Sequence, residues 1–564
     1  MKKITLQPGE WPRYVPALGA GLLLAASFPK FGVAGLAWIG PGLLLAAALG
    51  HGGGAAFRLG FAGGLAQHLV SLYWLLLIPI ELPAQTNGFE AALYHCGPAL
   101  GWLALSAYLA VYRGLWVWVC WKVYPAPIRL GGSGDPHGWA PLDSFLATTW
   151  RQRLGWGLFC AALWVAGEML LARFLSGFPW NFLGVSQHRM LPLIQMASFT
   201  GVYGVSFLIV WFSVSLGATA AVLIRQPAKR RVWLGELILP MLCAAGAAGW
   251  GMRQVFQTPP AGATLNIALV QPSIPQTLIW SGTDNLTCFG KLIKLSGKAV
   301  ASRPDLVLWP EAAVPGFARW DTNIAPVIQA FARTNRVWLI LGADDLAAKE
   351  RPGHAEDYEY YNASFLVSPA GEFVARYIKR KLVIFGEYVP LADWLPFLKY
   401  LTPIQGGFTP GRRPVSFPLP GLRAKTSVLI CFEDIFPHLV REHVDDDTDF
   451  LVNLTNNGWF GESAAQWQHA ANAVFRAVEN GLPLVRCANN GLTCWVDARG
   501  RVEEIYFPGT RDIYGAGWKM ARVPLLAGQP RAPTFYRRHG DWFGWSCVAV
   551  SALGLGAAGL RRRA

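Results

Sequence analysis

The sequence predicts a multi-pass α-helical membrane domain of about eight spans, with a layered α/β domain inserted before the last span. Hydrophobic residues make up 53% of the 564 residues and charged residues only 15%, a composition typical of membrane proteins. Long apolar runs occupy the first 255 residues and return near the C-terminal end. From about residue 264 to 525, short β-rich runs alternate with helical ones, which indicates an α/β domain with buried strands.

The apolar runs account for the membrane domain. They cover approximately residues 14–28, 32–50, 59–80, 97–121, 154–173, 202–224, 234–252 and 541–560. Each is close to the roughly 20 residues that a helix needs to cross the hydrocarbon core. We therefore expect a seven-span domain over residues 1–255 and a last span over residues 541–560.

The basic residues set the expected orientation of these spans. Lysines and arginines cluster before the first run, in the second, fourth and sixth connections, and after the last run. All five positions fall on one side of the membrane, which the positive-inside rule makes cytoplasmic. Both termini and the Pro/Gly-rich loop insertion 125–152 are then cytoplasmic, and the α/β domain 264–525 lies on the periplasmic face. Because the basic clusters adjoin apolar runs, the net charge of +15 favours membrane orientation over nucleic-acid binding.

The nine cysteines show no C-x-x-C pairing, so the sequence predicts no metal site and no cofactor. It leaves open whether Cys288, Cys487 and Cys494 of the α/β region are free or paired. Cys431 differs from the others because it ends an apolar strand-like run, Thr426-Ser-Val-Leu-Ile430. A strand that delivers a thiol to its C-terminal end is a common way to present a nucleophile.

Two other strand-like runs end in a reactive group. Glu311 follows one run by three residues, after Trp309 and Pro310, and Lys379 ends another. A carboxylate, an amine and the Cys431 thiol on three strand ends suggest a single site.

Each of these groups has a role in acyl transfer. The thiol attacks as the thiolate and needs a base, and Glu311 is our candidate because a partly apolar pocket raises the pKa of a carboxyl group. Lys379 is expected to hold the developing oxyanion, together with the backbone N–H of Phe432.

Several residues nearby are candidates for further roles. Glu387 and Glu433 are expected to orient the lysine and the cysteine. Lys381 competes with the lysine on sequence alone. A cysteine–histidine pair that uses His469 or His438 is an alternative to the glutamate base.

Five motifs stand out in the α/β region: Leu308-Trp-Pro-Glu311, Tyr377-x-Lys379, Phe385-Gly-Glu-Tyr-Val-Pro390, Ile430-Cys-Phe-Glu433 and Asn456-Asn-Gly-Trp-Phe-Gly461. They resemble the nitrilase superfamily and, more narrowly, the bacterial apolipoprotein N-acyltransferases. Gly177-Phe-Pro-Trp180, Gly201-Val-Tyr-Gly204 and the stretch from Val270 to Trp280 are similar to that family as well. The resemblance covers essentially the whole chain apart from residues 125–152.

The resemblance implies a fold, an activity and a set of site residues. The implied fold of the soluble domain is an α-β-β-α sandwich. The implied residues are a Glu311, Lys379 and Cys431 triad, the supporting residues Glu387, Phe432 and Glu433, and the substrate-binding residues Trp280, Trp459 and Phe460.

The sequence gives no oligomeric state, and we expect a monomer without a cofactor. The implied enzyme lies in the bacterial inner membrane. It moves an acyl chain from a phospholipid, typically phosphatidylethanolamine, onto the cysteine as a thioester. It then passes the chain to the α-amine of the diacylglyceryl-cysteine that begins an apolipoprotein, the final step of lipoprotein maturation, with ping-pong kinetics.

The chain departs from the family pattern at four positions. Lys381 stands where the family has histidine, Ile384 where it has proline, Asn457 where it has aspartate, and Leu171 where it has arginine. These departures leave the triad intact. The rival functions are a membrane-tethered carbon–nitrogen hydrolase (an amidase) with the same triad and water as acceptor, and a non-enzymatic transporter or scaffold. The presence of all three triad residues disfavours the non-enzymatic reading.

Overall fold

The computed structural model describes residues 11–51, 53–80, 88–125, 140–229, 231–257, 262–280, 285–348, 358–391, 394–395, 398, 407–507, 511–525 and 532–561. The chain divides into two compact units. The helical unit contains residues 1–73, 101–257 and 539–564, and the α/β unit contains residues 74–100 and 258–538.

The α-helices occur in both units. In chain order they are α1 (Trp11–Ala26), α2 (Gly40–Ala47), α3 (Gly53–Ser71), α4 (Gly88–Lys122), α5 (Ala140–Ala147), α6 (Trp150–Leu171), α7 (Leu191–Ile194), α8 (Ala197–Thr200), α9 (Val202–Arg225), α10 (Val232–Glu236), α11 (Ile238–Phe256), α12 (Gln276–Trp280), α13 (Asn285–Val300), α14 (Ile324–Asn335), α15 (Pro437–Glu442), α16 (Ala465–Asn480), α17 (Phe535–His539) and α18 (Trp542–Arg561).

Each of the eight apolar runs contains helix. Within the described ranges, four of these helices are long and apolar enough to cross a membrane: Tyr94–Lys122, Trp150–Leu171, Val202–Arg225 and Trp542–Leu560. The predicted loop 125–152 is helical over Ala140–Ala147. Thr149 then begins α6, because its side chain and that of Gln152 form a reciprocal capping box. Residues 126–139 of the predicted loop lie outside the described residues.

The α/β unit contains two mixed β-sheets. Their strands are β1 (Thr264–Gln271), β2 (Leu306–Leu308), β3 (Val314–Phe317), β4 (Trp338–Ala348), β5 (Tyr358–Val367), β6 (Phe373–Ile378), β7 (Ser416–Leu419), β8 (Ala424–Ile430), β9 (Phe450–Thr455), β10 (Leu484–Ala488), β11 (Cys494–Val496), β12 (Val502–Glu503) and β13 (Gly517–Pro524). The first sheet has the order β13-β1-β2-β4-β5-β6 with β3 beside β4, and the second has the order β12-β11-β10-β9-β8-β7.

Four layers make up this unit. The inner faces of the two sheets share one core, in which Leu308 and Ile340 of the first sheet pack with Val428 and Val452 of the second. Helices α13 and α14 cover the outer face of the first sheet, and α16 packs on the second. The predicted α/β domain is therefore an α-β-β-α sandwich.

The inner strands bring several chain segments to one edge of the sandwich. Strands β1, β2 and β4 are parallel in the first sheet, and β8, β9 and β10 are parallel in the second. The carboxyl ends of parallel strands meet at one edge of a sheet, so the residues that follow β2, β8 and β9 come together there. These residues include Glu311, Cys431 and Asn456.

Candidate active site

A buried lysine lies between two carboxylates at this edge. The Nζ of Lys379 is 3.0 Å from Oε1 of Glu311 and 2.8 Å from Oε1 of Glu387. Each of the three residues is less than a tenth exposed. We call these residues the Glu–Lys–Glu cluster. Its charges act on the thiol of Cys431, so the structure brings together the glutamate, lysine and cysteine that the sequence singled out.

Two asparagines complete the surroundings of Glu311. The Nδ2 of Asn362 donates to Oε1 of Glu311 at 2.9 Å and to Oε1 of Glu387 at 2.8 Å. The backbone N–H of Asn456 donates to Oε2 of Glu311 at 3.0 Å. Gly342 makes room for this arrangement, because a Cβ there would lie 2.7 Å from the Cα of Glu311. Sequence reasoning missed Asn362, which lies within β5 and not at a strand end.

Cys431 occupies a strained turn. It follows the last residue of β8 and has a φ of 55°, which is uncommon for a residue with a side chain. The Nδ2 of Asn453 donates a hydrogen bond to the carbonyl oxygen of Cys431 at 2.8 Å. The side chain of Thr455 hydrogen-bonds to the Cys431 thiol. The residue is partly exposed. Residues of β9 therefore hold both the backbone and the thiol of this turn in place.

Glu433 fastens the cysteine turn to the segment that carries the lysine. One carboxylate oxygen accepts from the backbone N–H of Ile430 at 2.8 Å, and the other accepts from Arg380 at 2.7 Å and Lys381 at 3.1 Å. The hydroxyl of Tyr377 donates to the same carboxylate at 2.9 Å. Glu433 is fully buried, and these donors, together with the charge of Lys379, offset the cost of burying its carboxylate.

The electrostatics keep the lysine charged and the cysteine protonated. Burial alone lowers the pKa of Lys379, but Glu311 and Glu387 raise it well above its usual value. Burial raises the pKa of Cys431, the neighbouring carboxylates raise it further, and Lys379 lowers it only in part. The resting site therefore holds a thiol beside a permanent cation.

The alternative lysine and histidines make other contacts. The Nζ of Lys381 lies 5.1 Å from the ring centre of Phe436. The ring of His469 is 2.7 Å from Oδ1 of Asp434 through Nε2 and 3.2 Å from Oδ1 of Asn457 through Nδ1, and it also hydrogen-bonds to the backbone of Cys431. His438 packs its ring on Phe436. These contacts favour Lys379 over Lys381, and they show the His469 ring nitrogens bonded to groups other than the thiol.

Of the predicted aromatic residues, Phe432 lies in the turn after β8, and Trp459 and Phe460 lie in the turn after β9. The Nζ of Lys379 is 5.7 Å from the ring centre of Phe432. Phe460 packs at 4.6 Å against Trp74, whose Nε1 donates to Gln468 at 3.2 Å. Trp459 lies half-exposed in the same turn as Phe460. The side chain of Trp280, the last residue of α12, lies outside the described part of the structure.

The cysteines outside the site form no disulfide bonds in the described structure, Cys288, Cys487 and Cys494 included. Cys487 is buried, and its thiol donates to the backbone oxygens of Val270 and Leu308. Among the described residues, no group of three or more His, Cys, Asp or Glu side chains is arranged to hold a metal ion.

Two protein-family models match the chain. Residues 20–215 match the apolipoprotein N-acyltransferase N-terminal domain, and residues 266–506 match the carbon–nitrogen hydrolase family. The similar proteins include an apolipoprotein N-acyltransferase of Geobacter metallireducens, 36% identical over 98% of this chain and 96% of the relative. Another apolipoprotein N-acyltransferase, from Azotobacter vinelandii, is 32% identical over 100% of this chain and 98% of the relative.

Similar solved structures include the Nesterenkonia AN1 amidase from the nitrilase superfamily. It is 18% identical to this chain, with a TM-score of 0.34, over 48% of this chain and 94% of the amidase.

Proposed function

Because this chain belongs to the apolipoprotein N-acyltransferase family, and is therefore an acyltransferase of lipoprotein biosynthesis, we propose that it acts through a thioester on Cys431. The acyl donor in this proposal is a phospholipid, with phosphatidylethanolamine as the expected one. The acceptor is the α-amine of the diacylglyceryl-cysteine that begins an apolipoprotein. The observation that carries the proposal is the buried Lys379, held between Glu311 and Glu387 beside the thiol.

The first half-reaction forms the thioester. The carboxylate of Glu311 accepts the thiol proton as the Sγ of Cys431 attacks the ester carbonyl carbon. The ammonium of Lys379 and the backbone N–H of Phe432 stabilise the oxyanion that develops on the carbonyl oxygen. The ester C–O bond then breaks, and Glu311 returns the proton to the oxygen of the departing lysophospholipid.

The second half-reaction transfers the acyl chain. The neutral α-amine of the acceptor attacks the thioester carbonyl, a C–N bond forms and the C–S bond breaks. One nucleophile that serves donor and acceptor in turn gives ping-pong kinetics. Trp280, Trp459 and Phe460 are proposed to contact the substrates, and excluding water from such an aromatic surface favours transfer over hydrolysis.

The proposed topology is eight spans in the bacterial inner membrane, with both termini cytoplasmic and the catalytic domain periplasmic. The four long apolar helices and the helices in the other four apolar runs support this count. The alternation of basic clusters supports the orientation. Residues 1–255 form the membrane domain of this proposal, residues 264–525 the catalytic domain and residues 541–560 the last span.

Intact-protein mass spectrometry tests the proposal. The purified full-length protein is incubated with phosphatidylethanolamine and no acceptor, beside Cys431→Ser as the matched control. We expect a fatty-acyl mass on the wild type only, removed by neutral hydroxylamine and by a diacylglyceryl peptide with a free N-terminus. If no adduct forms, or if water discharges it as fast as the peptide does, the acyltransferase mechanism is wrong and the hydrolase alternative replaces it.

A further inference from the structure

Two neighbouring aspartates on β4 have opposite surroundings. Asp344 and Asp345 are adjacent in a strand, so their side chains lie on opposite faces of the sheet. Asp345 is fully buried, and Arg319 at 2.8 Å and Arg376 form ion pairs with it. For Asp344, no hydrogen bond or ion pair occurs among the residues that the structure describes. The sheet thus neutralises one of the two carboxylates and leaves the other without a donor.

The unpaired carboxylate borders the catalytic cluster. Asp344 lies directly opposite Asn362 in the antiparallel pairing of β4 with β5. Directly opposite residues project to the same face with Cβ atoms about 5 Å apart. Asn362 is the residue whose Nδ2 bridges Glu311 and Glu387, so Asp344 lies at the edge of the Glu–Lys–Glu cluster. The residue as a whole is partly exposed.

The cations near Asp344 already form ion pairs with other carboxylates. Lys379 is shared by Glu311 and Glu387, so the cluster is already negative before Asp344 is counted. On the opposite face, Arg319 and Arg376 are occupied by Asp345. Burial, then Glu387 and Glu311, raise the pKa of Asp344 to about 7. A cationic ligand at this place would offset the excess negative charge.

The proton count of the second half-reaction calls for another base. An acceptor that arrives as an ammonium must lose two protons to become the N–H of an amide. Glu311 transfers one of them to the Cys431 thiolate that leaves. Glu311 carries only one proton at a time, and in this step it carries the one that passes to the Cys431 sulfur. The proton that the ammonium loses before it attacks therefore goes to a separate acceptor.

We propose that Asp344 binds the α-ammonium of the acceptor and takes its first proton. This inference rests on the proposed function. The carboxylate of Asp344 accepts a proton from the ammonium, which leaves a neutral amine with its lone pair free to attack the thioester. The Asp344 carboxylic acid then releases that proton to water after the acylated product departs. Asp344 is thus a catalytic residue of the transfer step and has no part in forming the thioester.

The experiment separates the two half-reactions. Full-length wild type, Asp344→Asn and Asp344→Glu are first acylated with phosphatidylethanolamine, and the thioester is followed by intact mass. Each acyl-enzyme is then discharged by a diacylglyceryl peptide or by hydroxylamine, which is neutral near pH 7. Glu372→Gln is the matched control, because Glu372 is an exposed carboxylate on the turn before β6 of the same sheet. Discharge is measured from about pH 6 to about pH 9, a range that brackets the amine pKa of about 8.

We expect Asp344→Asn to form the thioester at the wild-type rate. Its discharge by the peptide near neutral pH should fall about 100-fold, the lower end of the range for general-base catalysis. The acid limb of its pH profile should move up to the pKa of the free amine, about 8. Hydroxylamine discharge should not change, Asp344→Glu should recover part of the rate, and Glu372→Gln should match the wild type.

Two results overturn the inference. The first is peptide discharge by Asp344→Asn with the wild-type rate and pH profile. The second is an equal loss of thioester formation, hydroxylamine discharge and peptide discharge, since Asp344 would then only maintain the cluster. Failure of the proposed function itself looks different, because the wild type would then form no acyl adduct at all.

Discussion

Substitution of Asn362 is the most direct test of the hydrogen bonds that hold Glu311 and Glu387 in place. Its single Nδ2 donates to Glu311 at 2.9 Å and to Glu387 at 2.8 Å, the same two oxygens that bind Lys379. Asn362→Leu keeps a side chain of similar size and removes the donor. Asn362→Asp keeps the shape and places an acceptor where the donor was. The two variants separate hydrogen bonding from packing.

The expected loss follows from the donors that remain. Without Asn362, the base Glu311 keeps Lys379 and the N–H of Asn456. A hydrogen bond to a charged group contributes about 1.5–3 kcal/mol. If all of it is lost from the transition state, thioester formation slows about 10- to 150-fold in Asn362→Leu, since each 1.36 kcal/mol is about tenfold. Asn362→Asp should be slower still, because a third carboxylate beside Glu311 and Glu387 favours protonation of one of them.

The assay is a timed quench followed by intact-protein mass spectrometry with phosphatidylethanolamine as donor. Asn335→Leu is the control, because Asn335 is an exposed asparagine at the end of α14. It should acylate at the wild-type rate. The reasoning is refuted if both Asn362 variants acylate like the wild type, or if Asn362→Asp is faster than Asn362→Leu.

Three further predictions follow from burial and charge. Glu311→Gln should abolish acylation yet speed alkylation of Cys431 by iodoacetamide, because after burial the Glu311 carboxylate is the main cause that raises the thiol pKa; slower alkylation would contradict this. Asp344, with a pKa of about 7 against about 3.9 in the unfolded chain, makes the native state bind more protons between these values. Stability should therefore fall as pH rises from about 4 to about 7, and thermal unfolding in detergent should show a flatter pH dependence for Asp344→Asn than for the wild type. Glu433→Gln puts an amide NH₂ against at least one backbone N–H, so we expect a loss of about 1–3 kcal/mol, seen as a lower unfolding temperature; an unchanged temperature would show that these donors find other partners.

The strand ends explain how much of the site the sequence could predict. Glu311, Lys379 and Cys431 each follow a strand. The structure brings the three together because β2 and β8 belong to the parallel parts of the two sheets, and β6 runs in the same direction as β4 with the antiparallel β5 between them. A layered α/β domain follows from the alternating apolar strands and helical segments, whereas the α-β-β-α arrangement was implied by the resemblance to the nitrilase superfamily. Local pattern was enough for the strand ends and for the α/β class, since each depends on residues close in the sequence.

Other parts of the site depend on pairings that no local pattern specifies. Asn362 and Asp344 lie within strands, and only the register of β4 against β5 places them beside each other and beside Glu311. Trp74 lies 394 residues before its hydrogen-bond partner Gln468. The predicted loop 125–152 has the Pro/Gly-rich composition of a linker. Thr149 and Gln152 nevertheless form a capping box that begins a helix inside it. Register and long-range contact are set by the whole fold, so these features emerge only from the structure.

A single cation can serve the whole acylation step in the proposed mechanism. At rest, Lys379 pairs with the ionised Glu311, and the Cys431 thiol is protonated. When the thiol proton moves to Glu311, the negative charge leaves that carboxylate and reappears on the carbonyl oxygen of the donor. The net charge beside Lys379 stays the same, and only its position changes. Glu387 keeps the ammonium in place during this exchange, at 2.8 Å from its Nζ. Little reorganisation is then needed as the oxyanion forms, which is the condition under which a fixed charge lowers a barrier most.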